Sequence, residues 1–253
     1  MPLSVKGLVI RESVTGESTK IITLLTGQGI LRAFARGARK PGSPLAGPCA
    51  LFSYSDFLLG ESRSDAYNVK SAETLTLFRS VFENVEQLAL CGYFAELSLA
   101  SVPSDPQAEE FLRLFLNSMY LMTRNRYPLD QIKTVFEWKT LEYAGYLPGI
   151  VACRECGAYE SADMCFEIER QTLCCRGHQN PGCTRIPLSP AALTALRHIL
   201  LAEPGRIFSF SIPDGSLFEL GEASERSVRW VFERNFPTLA FYRSLAAPSS
   251  GGK

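Results

Sequence analysis

The sequence predicts an α+β chain of several modules: a small N-terminal β-barrel, then an α-helical bundle with an inserted zinc-ribbon-like element. Three observations predict it. Short β-branched and apolar runs, punctuated by Gly and Pro, fill residues 1–80. Helical periodicity replaces them from residue 81 onward. Six of the eight cysteines then fall between Cys153 and Cys183. The divisions expected are 1–80, 81–149, 150–187, 188–245 and a Pro, Ser and Gly-rich tail over 246–253 too polar to order.

Five strands are read in the first module: Val5 to Ile10, Lys20 to Leu25, Ile30 to Ala35, Leu51 to Leu59 and Ala66 to Ala72. Thr26-Gly27-Gln28-Gly29 is the turn between the second and third. Five short strands in about 75 residues fit a barrel of the OB type, or an SH3-like one. After the third strand, Arg36-Gly37-Ala38-Arg39-Lys40-Pro41-Gly42-Ser43-Pro44 is too rich in Gly and Pro for a regular element. It reads as a loop carrying three positive charges.

The helical part opens with Val81, Val85, Leu88, Ala95 and Leu99 on one face and Leu90, Phe94 and Leu97 on another, a helix apolar enough to be buried. Asp105-Pro106 supplies an N-cap and a first-turn proline for a second helix using Phe111, Leu114, Phe115, Met119 and Met122. A third runs from about Asp130 to Tyr143 and stops at Gly145 and Pro148. Ser189-Pro190 repeats the cap-plus-proline signature ahead of Leu193, Leu196, Ile199 and Leu200, and a last helix is read over Ser224 to Asn235.

Between these helices, Cys153-Arg154-Glu155-Cys156 is a C-x2-C pair, and Cys175-Arg176-Gly177-His178 is C-x2-H eighteen residues on. That spacing is the zinc-ribbon one: a short turn converges two thiolates on a tetrahedral ion, and the intervening loop returns a second pair to it. The ligand set read is Cys153, Cys156, Cys175 and Cys183 around one structural Zn2+, with His178 competing for the fourth place. Cys174 could replace Cys175, and Cys165 packs as a small hydrophobe. Nothing at the N-terminus reads as a signal peptide, so reduced cytosolic thiols are expected rather than disulfides. Four soft ligands leave no open coordination position for catalysis.

Lys plus Arg and Asp plus Glu are equal at 26 each, so overall charge selects no partner. Its distribution is more informative: residues 1–80 hold ten bases against six acids, and residues 81–149 hold five against nine. Arg32, Arg36, Arg39 and Lys40 share one strand–loop unit that could follow a phosphate backbone, with Lys20 or Arg11 assisting. Phe34, Phe52, Tyr54 and Phe57 are possible base platforms, although alternation buries about half of all barrel strand residues. There is no Ser/His/Asp set, Walker lysine loop or G-x-G-x-x-G, and His198 lies among apolar helical residues. No enzyme is expected. No apolar run reaches eighteen uncharged residues, so no membrane span is expected.

A resemblance emerges from the motifs taken in order. Gly7-Leu8-Val9-Ile10-Arg11-Glu12, Gly16-Glu17, Lys20 to Thr26, Gly29-Ile30-Leu31 and Ala35-Arg36-Gly37-Ala38-Arg39-Lys40 resemble the opening of the bacterial RecO family of recombination mediators. Tyr143 to Pro148, Cys153 to Gly157 and Leu188-Ser189-Pro190 continue the likeness, which spans about residues 3–245. The resemblance implies an N-terminal OB-fold, a helical domain and an inserted zinc element, without enzymatic activity. It implies binding of single- and double-stranded DNA, annealing of complementary strands, and work with RecR and single-stranded-DNA-binding protein to load recombinase in the bacterial cytoplasm, at the nucleoid. The family's second pair is usually C-x-x-C, from which Cys175-x-x-His178 departs. A different class of reading is an adaptor that binds only proteins, and a third a zinc-dependent hydrolase.

Overall fold

The computed structural model describes residues 2–61, 66–102, 107–178 and 180–246. Asp105-Pro106 and all of the 246–253 tail but Ala246, which ends a helix, lie outside them. The chain divides into two compact units, Met1–Arg124 with Pro237–Lys253, and Asn125–Phe236.

In the first unit, strands β1 (Leu3–Thr15), β2 (Thr19–Thr26), β3 (Gly29–Ala35), β4 (Ser53–Gly60) and β5 (Tyr67–Leu77) close a barrel in the order β1-β2-β3-β5-β4. This order, with a parallel β3–β5 seam through Ala33↔Tyr67 and Phe34↔Asn68, is that of an OB-fold and excludes the SH3-like alternative. Residues Leu3 to Leu8 of β1 pair with β4, while Gly7 to Thr15 pair with β2. One strand can serve both neighbours because a bulge between Val9 and Arg11 bends it. Val5, Val9, Ile22, Leu24, Ala33, Ala35, Phe57, Leu59 and Val69 fill the interior, plugged by Ala38 and Cys49 from the β3–β4 connection.

Helices α1 (Val85–Ser101), α2 (Gln107–Thr123) and α6 (Pro237–Ala246) complete this unit. Asn84 caps α1 by accepting from the Gln87 amide at 2.9 Å. The Glu96 carboxylate on α1 accepts from the Thr238 amide at 3.2 Å and from the Thr238 hydroxyl, capping α6 in trans.

The second unit holds α3 (Leu129–Tyr143), α4 (Pro190–Leu201), α5 (Asp214–Val231) and a small sheet ordered β7 (Thr172–Cys175), β6 (Met164–Glu167), β8 (Arg185–Pro187). Ser189 caps α4 as its sequence signature requires. The helix expected over Ser224 to Asn235 instead starts at Asp214 and ends at Val231. Its buried residues include Ser216, Gly221, Ala223, Ser224 and Ser227, small side chains of which Gly221 and Ser224 meet α3. A Cβ on Gly221 would stand 3.2 Å from Thr134 Oγ1. Inside that contact, Lys133 Nζ lies 3.0 Å from Glu137 and 3.1 Å from Glu225, and Arg229 reaches Glu225 at 2.7 Å. The Ser224 hydroxyl donates to Glu137 at 2.6 Å. Two cations balance two buried carboxylates, the condition under which such charges survive burial. No helix among the described residues is long and apolar enough to cross a membrane.

Candidate nucleic-acid interface and metal centre

Register sorts the basic residues of the barrel. Ala33 and Ala35 face its core, so Arg32 and Phe34 alternate outward, and Arg36 follows in the same sense just past the strand. Thr23 pairs with Arg11 on one side and Arg32 on the other, placing both arginines in one outward row about 10 Å apart. Arg11, Arg32, Arg36 and Lys40 are exposed. None of these four has an acidic partner among the described residues.

The other two predicted contacts are engaged elsewhere. Lys20 pairs in register with inward Ala35 and bonds Glu12 at 2.8 Å, its side chain only 17% exposed. This ion pair lies near the buried Cys49 thiol, which burial pushes up to about 12. Arg39 Nη1 donates to the Glu17 carbonyl at 3.1 Å, and its amide donates to Ser18 at 3.2 Å. Arg39 therefore fastens the basic loop to the β1–β2 turn. Ala38 anchors the same loop in the core at 2% exposure, and Gly37 supplies the left-handed turn (φ +75°) that splays Arg36 and Lys40 outward. Of the four aromatic candidates, Phe52 and Phe57 are buried, whereas Phe34 and Tyr54 are partly exposed.

In the second unit, Cys153, Cys156, Cys175 and His178 converge, their ligand atoms all within 4.8 Å of one another. Cys153 Sγ lies 3.9 Å from His178 Nδ1, and Cys156 Sγ lies 3.9 Å from Cys175 Sγ. A tetrahedral ion with bonds of about 2.3 Å to sulfur sets its ligands about 3.8 Å apart, so this donor set fits a metal with little contraction. The first knuckle is shaped by the Gly157 amide donating to the Cys153 carbonyl at 2.9 Å, with Gly157 at φ +72°. The second is the short 3-10 turn Arg176–His178 that follows β7.

The electrostatics around the thiols suit a cation. Burial raises Cys153, but the amides of Cys156, Cys175 and Glu155 and the Cys156 thiol outweigh it and bring the group down to about 6. Burial, together with the neighbouring Cys153 and Cys156 thiols, raises Cys175 to about 11. Packed thiolates repel, and only a bound cation lets them all ionise.

Cys183 is not in the converging group. Its loop is pinned away by Glu167, which accepts from the Asn180 amide at 2.8 Å, and by Glu169, which accepts from the Thr184 amide and hydroxyl at 2.6 and 2.7 Å. Cys174 alternates to the other side of β7 from Cys175. It sits 3.1 Å from Cys165, its register partner on β6, and both are buried.

Sequence reasoning missed Arg197. Buried in α4, it donates to the carbonyls of Ile150 (3.0 Å), Val151 (2.9 Å) and Tyr159 (2.5 Å), and its guanidinium covers the Tyr159 ring at 3.7 Å. It clamps the chain that leads into and out of the first knuckle, and its only sequence signal is a charge among apolar helical neighbours. His198, read as structural, donates through Nε2 to the Arg206 carbonyl at 2.8 Å.

A closed OB barrel with a cationic outer face, followed by helices and a Cys3His cluster able to hold a metal ion, defines a modular OB-fold protein with a metal-type knuckle. Residues 1–78 match the family model for the recombination protein O N terminal, and residues 83–240 that for the recombination protein O C terminal. The chain belongs to the RecO family of DNA repair and recombination proteins. It is 31% identical over 245 residues to the DNA repair protein RecO of Acetivibrio thermocellus, covering 96% of this chain and 97% of that one. It is 32% identical over 206 residues to that of Alkaliphilus metalliredigens (80% and 82%), and 27% identical over 243 residues to that of Dehalococcoides mccartyi (95% of each).

Proposed function

We propose that this protein is a non-enzymatic mediator that binds single- and double-stranded DNA, anneals complementary strands and helps load recombinase onto DNA coated with single-stranded-DNA-binding protein. It would act in the cytoplasm, at the nucleoid, alongside a RecR-type partner. The observation that carries this reading is the outer barrel surface on which Arg11, Arg32, Arg36 and Lys40 stand without acidic partners among the described residues. Annealing on such a surface needs no chemistry: neutralised phosphates lower the repulsion between two strands and let bases meet. In the same reading, one structural Zn2+ is held by Cys153, Cys156, Cys175 and His178 and tightens the β6–β8 element, with much of its binding energy appearing as folding energy.

The test is a fluorescence-anisotropy titration of a labelled single-stranded oligonucleotide. Four phosphate contacts on a single strand give a salt slope near −2.8, so affinity should fall roughly 50-fold between 50 and 200 mM salt. The variant Arg11→Ala/Arg32→Ala/Arg36→Ala/Lys40→Ala should lose both affinity and slope. Absence of binding at 50 mM salt would refute the mediator reading in favour of an adaptor that contacts only proteins.

A further inference from the structure

Resting on the reading of the barrel as a DNA-binding surface, we infer that Phe34 is a base-stacking platform and that its strip of the barrel selects unpaired nucleic acid over duplex. Along β3 the outward positions are Arg32 and Phe34, with Arg36 next, giving the order cation, aromatic, cation. Alternate residues of a strand stand about 6.6 Å apart. Phe34 therefore stands one such step from Arg32, and exposed Arg36 follows in the turn just past the strand, so the ring has a guanidinium on either side in the chain and can seat one unstacked base between phosphates.

Register widens the strip across the sheet. Ile21 on β2 lies opposite Phe34, and Ser13 on β1 lies opposite Ile21. These residues form a row without charge beside the Arg11–Thr23–Arg32 row. Asn68 flanks Phe34 on the β5 side. The far end of the same outer face is closed off: α1 and α2 pack on β1 and α2 on β2, and outward Leu8 and Leu25 are fully buried. Phe34 remains partly exposed in the sector the helices leave open.

The other barrel aromatics are placed differently. Phe57 is sealed in the core, and Phe52 stacks on Phe82 and Phe115. Tyr54 is outward, but beside the acids Glu109 and Asp56, which with burial raise its hydroxyl and would repel a phosphate. Phe34 alone of the four combines partial exposure with flanking cations. A duplex offers phosphates to Arg11, Arg32 and Arg36 but keeps its base faces stacked, so Phe34 contributes only to the single-stranded complex.

The experiment compares Phe34→Leu and Phe34→Trp with wild type on a single-stranded oligonucleotide and on the matching duplex. Phe34→Leu keeps an apolar side chain but removes the ring; it should weaken single-strand binding by about 10-fold or more, leaving duplex binding and both salt slopes unchanged. Arg11→Ala should instead lower both affinities and reduce the single-strand slope by about 0.7. Phe34→Trp should retain single-strand affinity, and its indole emission, read above the Trp138 and Trp230 background of the wild-type chain, should be quenched by the single strand and not by the duplex. Equal losses on both substrates, or no loss from Phe34→Leu together with an unquenched Phe34→Trp, overturn the inference. If Phe34→Leu does not fold, the quenching result decides it. If the arginine variants leave both substrates tightly bound, the DNA-binding reading itself fails; if they weaken both while the Phe34 variants change nothing, only the stacking role falls.

Discussion

After reconstitution with zinc, His178→Ala should lose the metal at chelator concentrations that leave Cys183→Ser loaded. Loss of an outer-shell partner alone weakens a protein–metal bond by about 10- to 100-fold. Removing a ligand should exceed that, because His178 is exposed and only water would take its place beside three thiolates. A loss of about 100- to 1,000-fold, or roughly 3–4 kcal/mol, is a sizeable part of the roughly 10–16 kcal/mol apparent for structural zinc near neutral pH. Cys183→Ser should move affinity by less than about 3-fold, since Glu167 and Glu169 hold its loop whether or not the thiol is present. The assay is competition with a chromophoric chelator on the full-length protein, paired with amide exchange over residues 149–187. Exchange should accelerate there in His178→Ala alone. Metal retention by His178→Ala with loss in Cys183→Ser would refute the convergence argument and make Cys183 the fourth ligand.

Lys133→Met removes the cation shared by Glu137 and Glu225 and leaves carboxylates at 0% and 8% exposure, so urea unfolding should show a loss of about 3–5 kcal/mol. Arg197→Lys keeps the charge but lacks the fork that spans three carbonyls; it should cost about 2–4 kcal/mol and speed amide exchange over residues 150–160. Ser189→Ala, which removes the α4 cap, should lower stability by about 1 kcal/mol. In the metal-free protein, the fold favours the Cys153 thiolate, lowered from 9.0 to about 6. Its contribution is therefore full above about pH 9 and lost as pH falls through about 6. Thermal melts in chelator should show stability rising with pH across that window, with Cys153→Ser flattening the rise.

The barrel was legible because its strands are rich in β-branched residues and separated by glycine turns, and because Ala33 and Ala35 alternate with Arg32, Phe34 and Arg36 in plain view. Strands β1 (Leu3–Thr15) and β5 (Tyr67–Leu77) run longer than the segments Val5 to Ile10 and Ala66 to Ala72 read for them. The helices were legible where apolar residues are frequent, as in α1 and α4, although Val85 and Leu99 of the face read for α1 are exposed. In α5 only the second half, from Ser224, was legible: Gly215, Ser216 and Gly221 interrupt the helical signal in the first half, and a small residue at Gly221 is what the close approach to Thr134 of α3 uses. The boundary before α6 was hidden for a related reason: Glu96, far off in sequence, caps its first turn.

The limits at the two sites share one physical cause: a sequence gives the sign of a charge and the type of a ligand, not the partner each has found. Arg39 read as equal to Arg32 and Arg36, and Lys20 as assisting them, yet Glu12 pairs with Lys20 and backbone carbonyls hold Arg39. Cys183 reads as a better zinc ligand than His178 by softness alone, yet Glu167 and Glu169 tether its loop to residues 167–169 while the 3-10 turn after Cys175 delivers His178 to the cluster. In both places hydrogen bonds and ion pairs from distant residues made the choice: Glu12 and the Glu17 carbonyl at the barrel, Glu167 and Glu169 beside the cluster. On the proposed reading, the barrel-face cations without an acidic partner among the described residues are the ones left to meet a phosphate backbone.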